Sequence, residues 1–355
     1  MMRKKLVLWI TAAVLLLVAA GIILWHHHSA SSSDNSRKHE VSNADLRKAE
    51  KQIDIHIKRY EEALFTLDTA HLAEGLKQLA TEYPEILIDK NAWKDPRMLY
   101  QLKAYISDPI IREIYEDVMR AFPDLKDIEA ELNAAMSYYL TYFPDDSLPV
   151  FYTLVPGLNI DMPTVYGYGN DIFIHLDMYL GSDYKYYSQI GMPMFVIQRC
   201  DRKYLAVECV SKALVYRYLS QKQPLTLLDN IIYEGKKMYF TEMMFPDKPE
   251  ADVIEYTPEK YEWAVKNQGK VWSYIIEKDL LFSKQNKDIR QFVDDTPFTK
   301  PFNNSSPGRM GVFIGWKIIQ KYMENNPEVT LQALMENTDS QQILNKSGYK
   351  PQNKN

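Results

Sequence analysis

The chain is poor in the residues that build redox centres. Cysteine occurs twice in 355 residues, at Cys200 and Cys209, and no C-x-x-C pair exists. That is too few for a disulfide framework. If the helical pattern over 204–219 extends back through Cys200, the nine-residue separation puts the two thiols on opposite sides and about 13 Å apart, so two buried free thiols are expected. Histidine is scarce too, and none follows His175. A Gly-rich phosphate loop, a G-x-S-x-G elbow and an EF-hand loop are all missing, which removes the commoner nucleotide, hydrolase and calcium readings. Charge of one sign is also lacking, since 42 Lys and Arg face 47 Asp and Glu, a net of -5 without long runs. Nucleic acid is therefore excluded as a partner.

Uncharged apolar runs are rare, with one exception at the start. "MMRKK" (1–5) precedes "LVLWITAAVLLLVAAGIILW", Leu6–Trp25. At about 1.5 Å per residue a helix of that length crosses the roughly 30 Å hydrocarbon layer. A cleaved signal has a shorter apolar core, and the only cleavage candidate is the weak "SASS" at 29–32, so a retained transmembrane anchor is expected. With Arg3, Lys4 and Lys5 held inside, the remainder faces outward, into the periplasm of a bacterium. No cysteine follows the run to accept a lipid, which favours the inner membrane over an outer-membrane lipoprotein. Residues 26–40, with three histidines and a Ser-rich stretch, read as a flexible juxtamembrane linker; metal binding by the histidines is the lesser reading. Residues 41–351 read as one soluble domain, and 352–355 as a tail.

Within that domain, Ile53, Ile57, Tyr60 and Leu64, then Leu72, Leu76 and Leu79, recur at helical spacing. Further helices are expected over 96–107, 110–122 and 126–143, the last stopped at Pro144. The period then shortens to two in "PVFYTLVPGLNI" (149–160), "TVYGYG" (164–169) and "DIFIHLDMYL" (171–180), divided by Pro-Gly and Gly-Asn turns. These runs predict a small antiparallel sheet. Helices return over 204–219, 225–244, 258–282 and 310–323. The expected fold class is α+β, a mostly α-helical domain with a small antiparallel sheet behind an N-terminal transmembrane helix.

One helix raises a chemical question. A zinc peptidase places two histidines at i and i+4 with a glutamate between them as general base. At that spacing this chain has Val207, Glu208 and Ser211, and Glu234 stands on the next helix where a third ligand would come from. Val207 has no lone pair, and a serine hydroxyl is a poor Zn²⁺ ligand at neutral pH. The chain thus reads as a degenerate zincin, with no catalytic residue, no metal and no cofactor, and with Val207, Glu208, Ser211 and Glu234 as a vestigial cleft. The alternative is a metal-independent hydrolase in which Glu208 and Glu234 share a proton. The plain reading of both glutamates is a solvated helix face.

Two other stretches invite a site. His175, Asp177, Tyr179 and Tyr184, at the end of the last strand, could form a partner-binding rim; the blander reading is a strand end whose tyrosines cover the helices. His175 reads as a hydrogen-bonded structural residue. The loop Asn303–Gly308 leads through Arg309 into a helix whose N-terminus could attract an anion, or it is simply a capped loop.

Four segments carry a family likeness: "DMYLGSDYKYYS" (177–188), "IYEGKKMYFTEMMFPD" (232–247), "GVFIGWKIIQKYM" (311–323) and "ILNKSGYKP" (343–351). In this order they resemble the gliding motility lipoprotein GldB and its related family, over about residues 42–351. The EG and GW helices also look like those of predicted zinc proteases that retain the histidines. The resemblance implies an envelope protein needed for surface gliding, a scaffold or partner in the assembly that exports and drives surface adhesins, with no established catalysis. It also implies a lipid-modified cysteine, which this sequence lacks.

Overall fold

A computed structural model describes residues 53–84, 86, 91–220 and 222–351. The proposed anchor and linker lie outside the described residues. Among the described residues no helix is long and apolar enough to cross a membrane.

The chain starts with a two-residue strand β1 (Lys58–Arg59) and helices α1 (Tyr60–Phe65), α2 (Leu72–Glu82), α3 (Pro96–Ser107), α4 (Pro109–Ala121) and α5 (Lys126–Tyr142). Strands β2 (Val150–Leu154), β3 (Val165–Tyr168) and β4 (Asp171–His175) follow. The second half is helical: α6 (Leu205–Lys212), α7 (Leu227–Met244), α8 (Pro258–Glu277), α9 (Asn286–Val293), α10 (Met310–Asn325), α11 (Leu331–Glu336) and α12 (Ser340–Ser347). The α+β class stands.

Local chemistry sets the helix starts. Asp95 and Asp108 accept the N–H groups of Arg97 and of Ile110 and Ile111, each before a proline at the first helical position. Thr226 and Asp229 form a reciprocal capping box on α7.

The sheet differs from expectation in two ways. Its order is β1-β2-β4-β3, and β1 and β4 both run parallel to β2; only the β3–β4 hairpin is antiparallel. The sheet is mixed because the Pro156-Gly157 turn does not close a hairpin. Instead Gly157 and Leu158 both take positive φ, and the Leu158 N–H donates to the buried carboxylate of Asp177 at 2.6 Å. That bond carries the chain out of the sheet and leaves β2 free to pair with β4. The Gly169-Asn170 turn does join β3 to β4 as its sequence suggests. The second difference is at 53–59, read as helix from Ile53 and Ile57. Ile55 and Ile57 are buried between exposed neighbours in an extended segment that ends in β1.

Across the sheet the rings of Tyr152, Phe173 and Tyr166 stack in a row, with centroids 5.2 and 5.1 Å apart. On the helical side the closest approach is between α7 and α10. A Cβ on Gly315 would lie 1.9 Å from the Ile231 carbonyl oxygen, and one on Gly235 2.3 Å from the Gly315 carbonyl carbon. Only glycine allows the two backbones to touch there.

Candidate functional site

Helix α6 begins after a 3-10 turn, Arg202–Tyr204, whose start is capped by Asp201. Every residue from Leu205 to Ser211 is buried. An acid in such a helix must find donors inside the protein, and Glu208 finds three. Its Oε2 accepts the hydroxyls of Thr164 at 2.6 Å and Tyr179 at 2.5 Å, and lies 2.6 Å from the Lys212 ammonium one turn on. Lys212 also reaches the Thr164 hydroxyl at 3.3 Å. Burial and the adjacent Glu208 push the Tyr179 phenol well above its usual range, so it stays a donor. Glu208 is therefore no solvated face.

Glu234, on α7, is paired with Lys237 at 2.9 Å, and Lys237 also donates to the Tyr216 hydroxyl at 2.9 Å. The two glutamates are not hydrogen-bonded to each other, and each is paired with a lysine of its own helix. Val207 is buried without a polar atom, and the buried Ser211 hydroxyl has no hydrogen-bond partner. Among the described residues no three His, Cys, Asp or Glu side chains converge as ion ligands.

The two ammonium groups belong to a larger ring of partly exposed cations around one buried acid. At its centre is Glu255, in the turn between the single-turn helix Glu250–Val253 and α8. Burial raises the pKa of this carboxyl, but Lys212, Arg199, Arg309 and Lys237 outweigh it and hold it below the usual carboxylate range. Arg199 lies 3.6 Å from Glu255 Oε2 and also pairs with Asp295. Arg309 donates to the Ile254 carbonyl at 2.6 Å and faces Asp295 at 3.8 Å. Both Glu255 and Arg309 have positive φ, at 58° and 56°. Non-glycine residues seldom keep that conformation unless their surroundings enforce it. The Asn303–Gly308 loop thus leads into a guanidinium that is already engaged.

The proposed rim lies mostly inside the protein. His175, Asp177 and Tyr179 are buried, and only Tyr184 keeps part of its surface, with its hydroxyl donating to Asp117 at 3.0 Å. Asp177 is drawn in by the Leu158 N–H, and Tyr179 by Glu208, which is why neither faces solvent. His175 is not the hydrogen-bonded residue expected, since neither ring nitrogen has a partner; the ring meets Tyr166 edge-on at 5.5 Å. Burial holds its imidazole down at about 4 and pushes the Asp177 carboxyl up to about 7. The two cysteines are free and buried as anticipated, and burial pushes the Cys200 thiol up to about 12. They do not share one helix.

A family model described as gliding motility protein GldB matches residues 39–351. The chain belongs to the GldB family. No curated protein and no solved structure matches it. The GldB match spans the sheet, α6, α7 and the whole ring around Glu255, so the charged core lies within the family domain. The sequence pointed to Glu208 and Glu234, and to Arg309 only as the entry to a helix start, but not to Arg199, Lys212, Lys237 or Glu255. Two of these had a local signal, because Lys212 follows Glu208 by four residues and Lys237 follows Glu234 by three.

Proposed function

We propose that this GldB-family chain is a non-catalytic, membrane-anchored component facing the periplasm, serving as a scaffold or binding partner in a gliding or surface-protein export assembly. Family membership supports the link to gliding motility, and the apolar run Leu6–Trp25 supports the anchor. The non-catalytic part rests on one observation: each glutamate that a metallopeptidase of this helix order would use is neutralised by a lysine of its own helix. An ammonium beside each carboxylate disfavours a divalent cation by direct repulsion. On this reading the chain is a zincin-like scaffold whose ion positions have passed to Val207 and Ser211, and the ring around Glu255 ties α6, α7 and α10 together without an ion.

Metal analysis of the purified full chain tests this, combined with peptide hydrolysis by the parent and by Glu208→Gln. The expected result is no stoichiometric transition metal, a melting temperature unmoved by chelator and no turnover in either protein. Tightly held zinc, or turnover that Glu208→Gln abolishes, would overturn it. Crosslinking in intact cells should capture a defined envelope protein through the folded domain, and none would be captured by a mere spacer.

A further inference from the structure

Helix α3 has no acidic residue, and its exposed face carries Arg97, Tyr100 and Lys103. The Arg97 side chain is 90% exposed and Tyr100 66%. Just before it, two ammonium groups approach the Trp93 ring, Lys77 of α2 at 5.2 Å and Lys94 at 4.8 Å from its centroid. Of the acids nearby, Asp95 and Asp108 are spent on the helix starts already described, although Asp95 also lies 3.7 Å from Arg97. Asp68, which Lys103 faces, is held by His71 at 2.8 Å and by the Ala70 N–H at 2.8 Å. Among the described residues Glu74, one turn before Lys77, and Glu82, at the end of α2, are further exposed acids.

Four exposed cations around a tryptophan and a tyrosine match the chemistry of a membrane–water interface. There amphipathic rings sit at headgroup depth, and lysine and arginine reach anionic phosphates. We propose that this α2–α3 face is a lateral docking surface for the anionic lipid of the bilayer that holds the chain. The proposal rests in part on the anchor reading. Residues 26–52, even fully extended, allow at most about 95 Å between the apolar run and the domain. A tether of that reach makes contact intramolecular, so a face too weak to recruit a free protein still settles on the membrane. Each cation near an anionic surface shifts that balance roughly fivefold, within a Debye length of about 10 Å.

The test uses the full chain with vesicles of phosphatidylcholine alone or mixed with phosphatidylglycerol. Flotation reads the anchor, and amide hydrogen exchange over 93–107 reads the face. Expected are flotation with both lipids and slowed exchange over 93–107 only with the anionic one. High salt should abolish the slowing, as should Lys94→Glu/Arg97→Glu/Lys103→Glu, with exchange in α7 unchanged as proof of folding. Flotation with both lipids but equal exchange, or slowing that survives the charge reversal, overturns the face and spares the anchor. Flotation with the anionic lipid alone, lost on charge reversal, supports the face and overturns the anchor. Flotation with neither overturns both.

Discussion

The crossing of α7 and α10 and the ring of charge around Glu255 are two parts of one core, held by opposite means. At the crossing two backbones meet because Gly235 and Gly315 have no side chains, and the bonds that Trp316 and Gln320 of α10 donate to Glu242 of α7 lie beyond that contact. Around the buried Glu255 carboxylate, four partly exposed cations from separate segments gather, and the chain takes two left-handed turns to place them. The first is sensitive to any added atom. The second is sensitive above all to loss of Glu255, the buried carboxylate that acts with all four cations.

The crossing should show the largest effect. In Gly315→Ala the new methyl meets a backbone oxygen that cannot rotate away, so the helices must separate and the apolar contacts on both sides loosen. A loss of about 4 kcal/mol or more is expected in denaturant unfolding, or failure to accumulate folded protein. A loss within about 1 kcal/mol would mean that the contact is looser than described and that the contrast between the regions is false.

The ring should come next. Glu255→Gln keeps the volume but leaves Lys212, Arg199, Arg309 and Lys237 without their central charge, at a cost of about 3 kcal/mol. Removing Arg199 together with Glu255, as Arg199→Met/Glu255→Gln, should cost at least about 1 kcal/mol less than the sum of the single losses. Strict additivity would show that the residues do not act as a unit.

A third prediction concerns His175 and Asp177, two titratable residues buried at the end of β4. Asp177 binds its proton more tightly folded, at about 7, than unfolded, near 3.8, so its contribution is full below the lower value and is lost as pH rises through the upper one. His175 is the reverse. Its folded value of about 4 lies below 6.5, so its contribution is full above 6.5 and lost as pH falls towards 4. Between those limits the two slopes oppose each other. Stability of the parent should therefore vary little from these groups, Asp177→Asn should become more stable as pH rises across the window, and His175→Gln less stable. Each slope should amount to a few kcal/mol, about 1.4 per unit of pH. Parallel profiles in the three proteins would show that these groups are not titrating inside the fold.

How much of this could be read from the sequence depended on whether the cause was local. Helix α3 was read at its observed ends, because Pro96 opens it beside a capping aspartate. The segment 53–59 was misread because Ile53 and Ile57 fit a helix at i and i+4 as well as a strand at i and i+2; the buried Ile55 between them favoured the strand. The mixed sheet depended on Asp177 capturing the N–H of Leu158, nineteen residues away, which no short-range rule anticipates. The expected helix over 204–219 stops at Lys212, where Ala213 adopts a non-helical backbone beside Gly167 of β3. In the ring, the lysine spacings were legible, but Arg199 meets Glu255 across more than fifty residues.

The smallest effect is the most useful for separating architecture from chemistry. If Glu208 and Glu234 were two halves of one working site, changing either should have similar consequences. As ion pairs they should differ, because burial decides what a pair contributes. Glu208 is enclosed with two hydroxyls and Lys212 on one oxygen, so Glu208→Gln should cost about 2 kcal/mol. The Glu234 side chain keeps 23% of its surface and has Lys237 alone, so Glu234→Gln should cost less than about 1 kcal/mol. The measurement is the pair of unfolding curves, read beside the ability of each variant to restore gliding in a strain lacking the chain. Restoration that follows stability, with Glu234→Gln nearly intact, fits a scaffold. Equal and complete loss with both variants folded would mean that the two carboxylates act together on something bound between them.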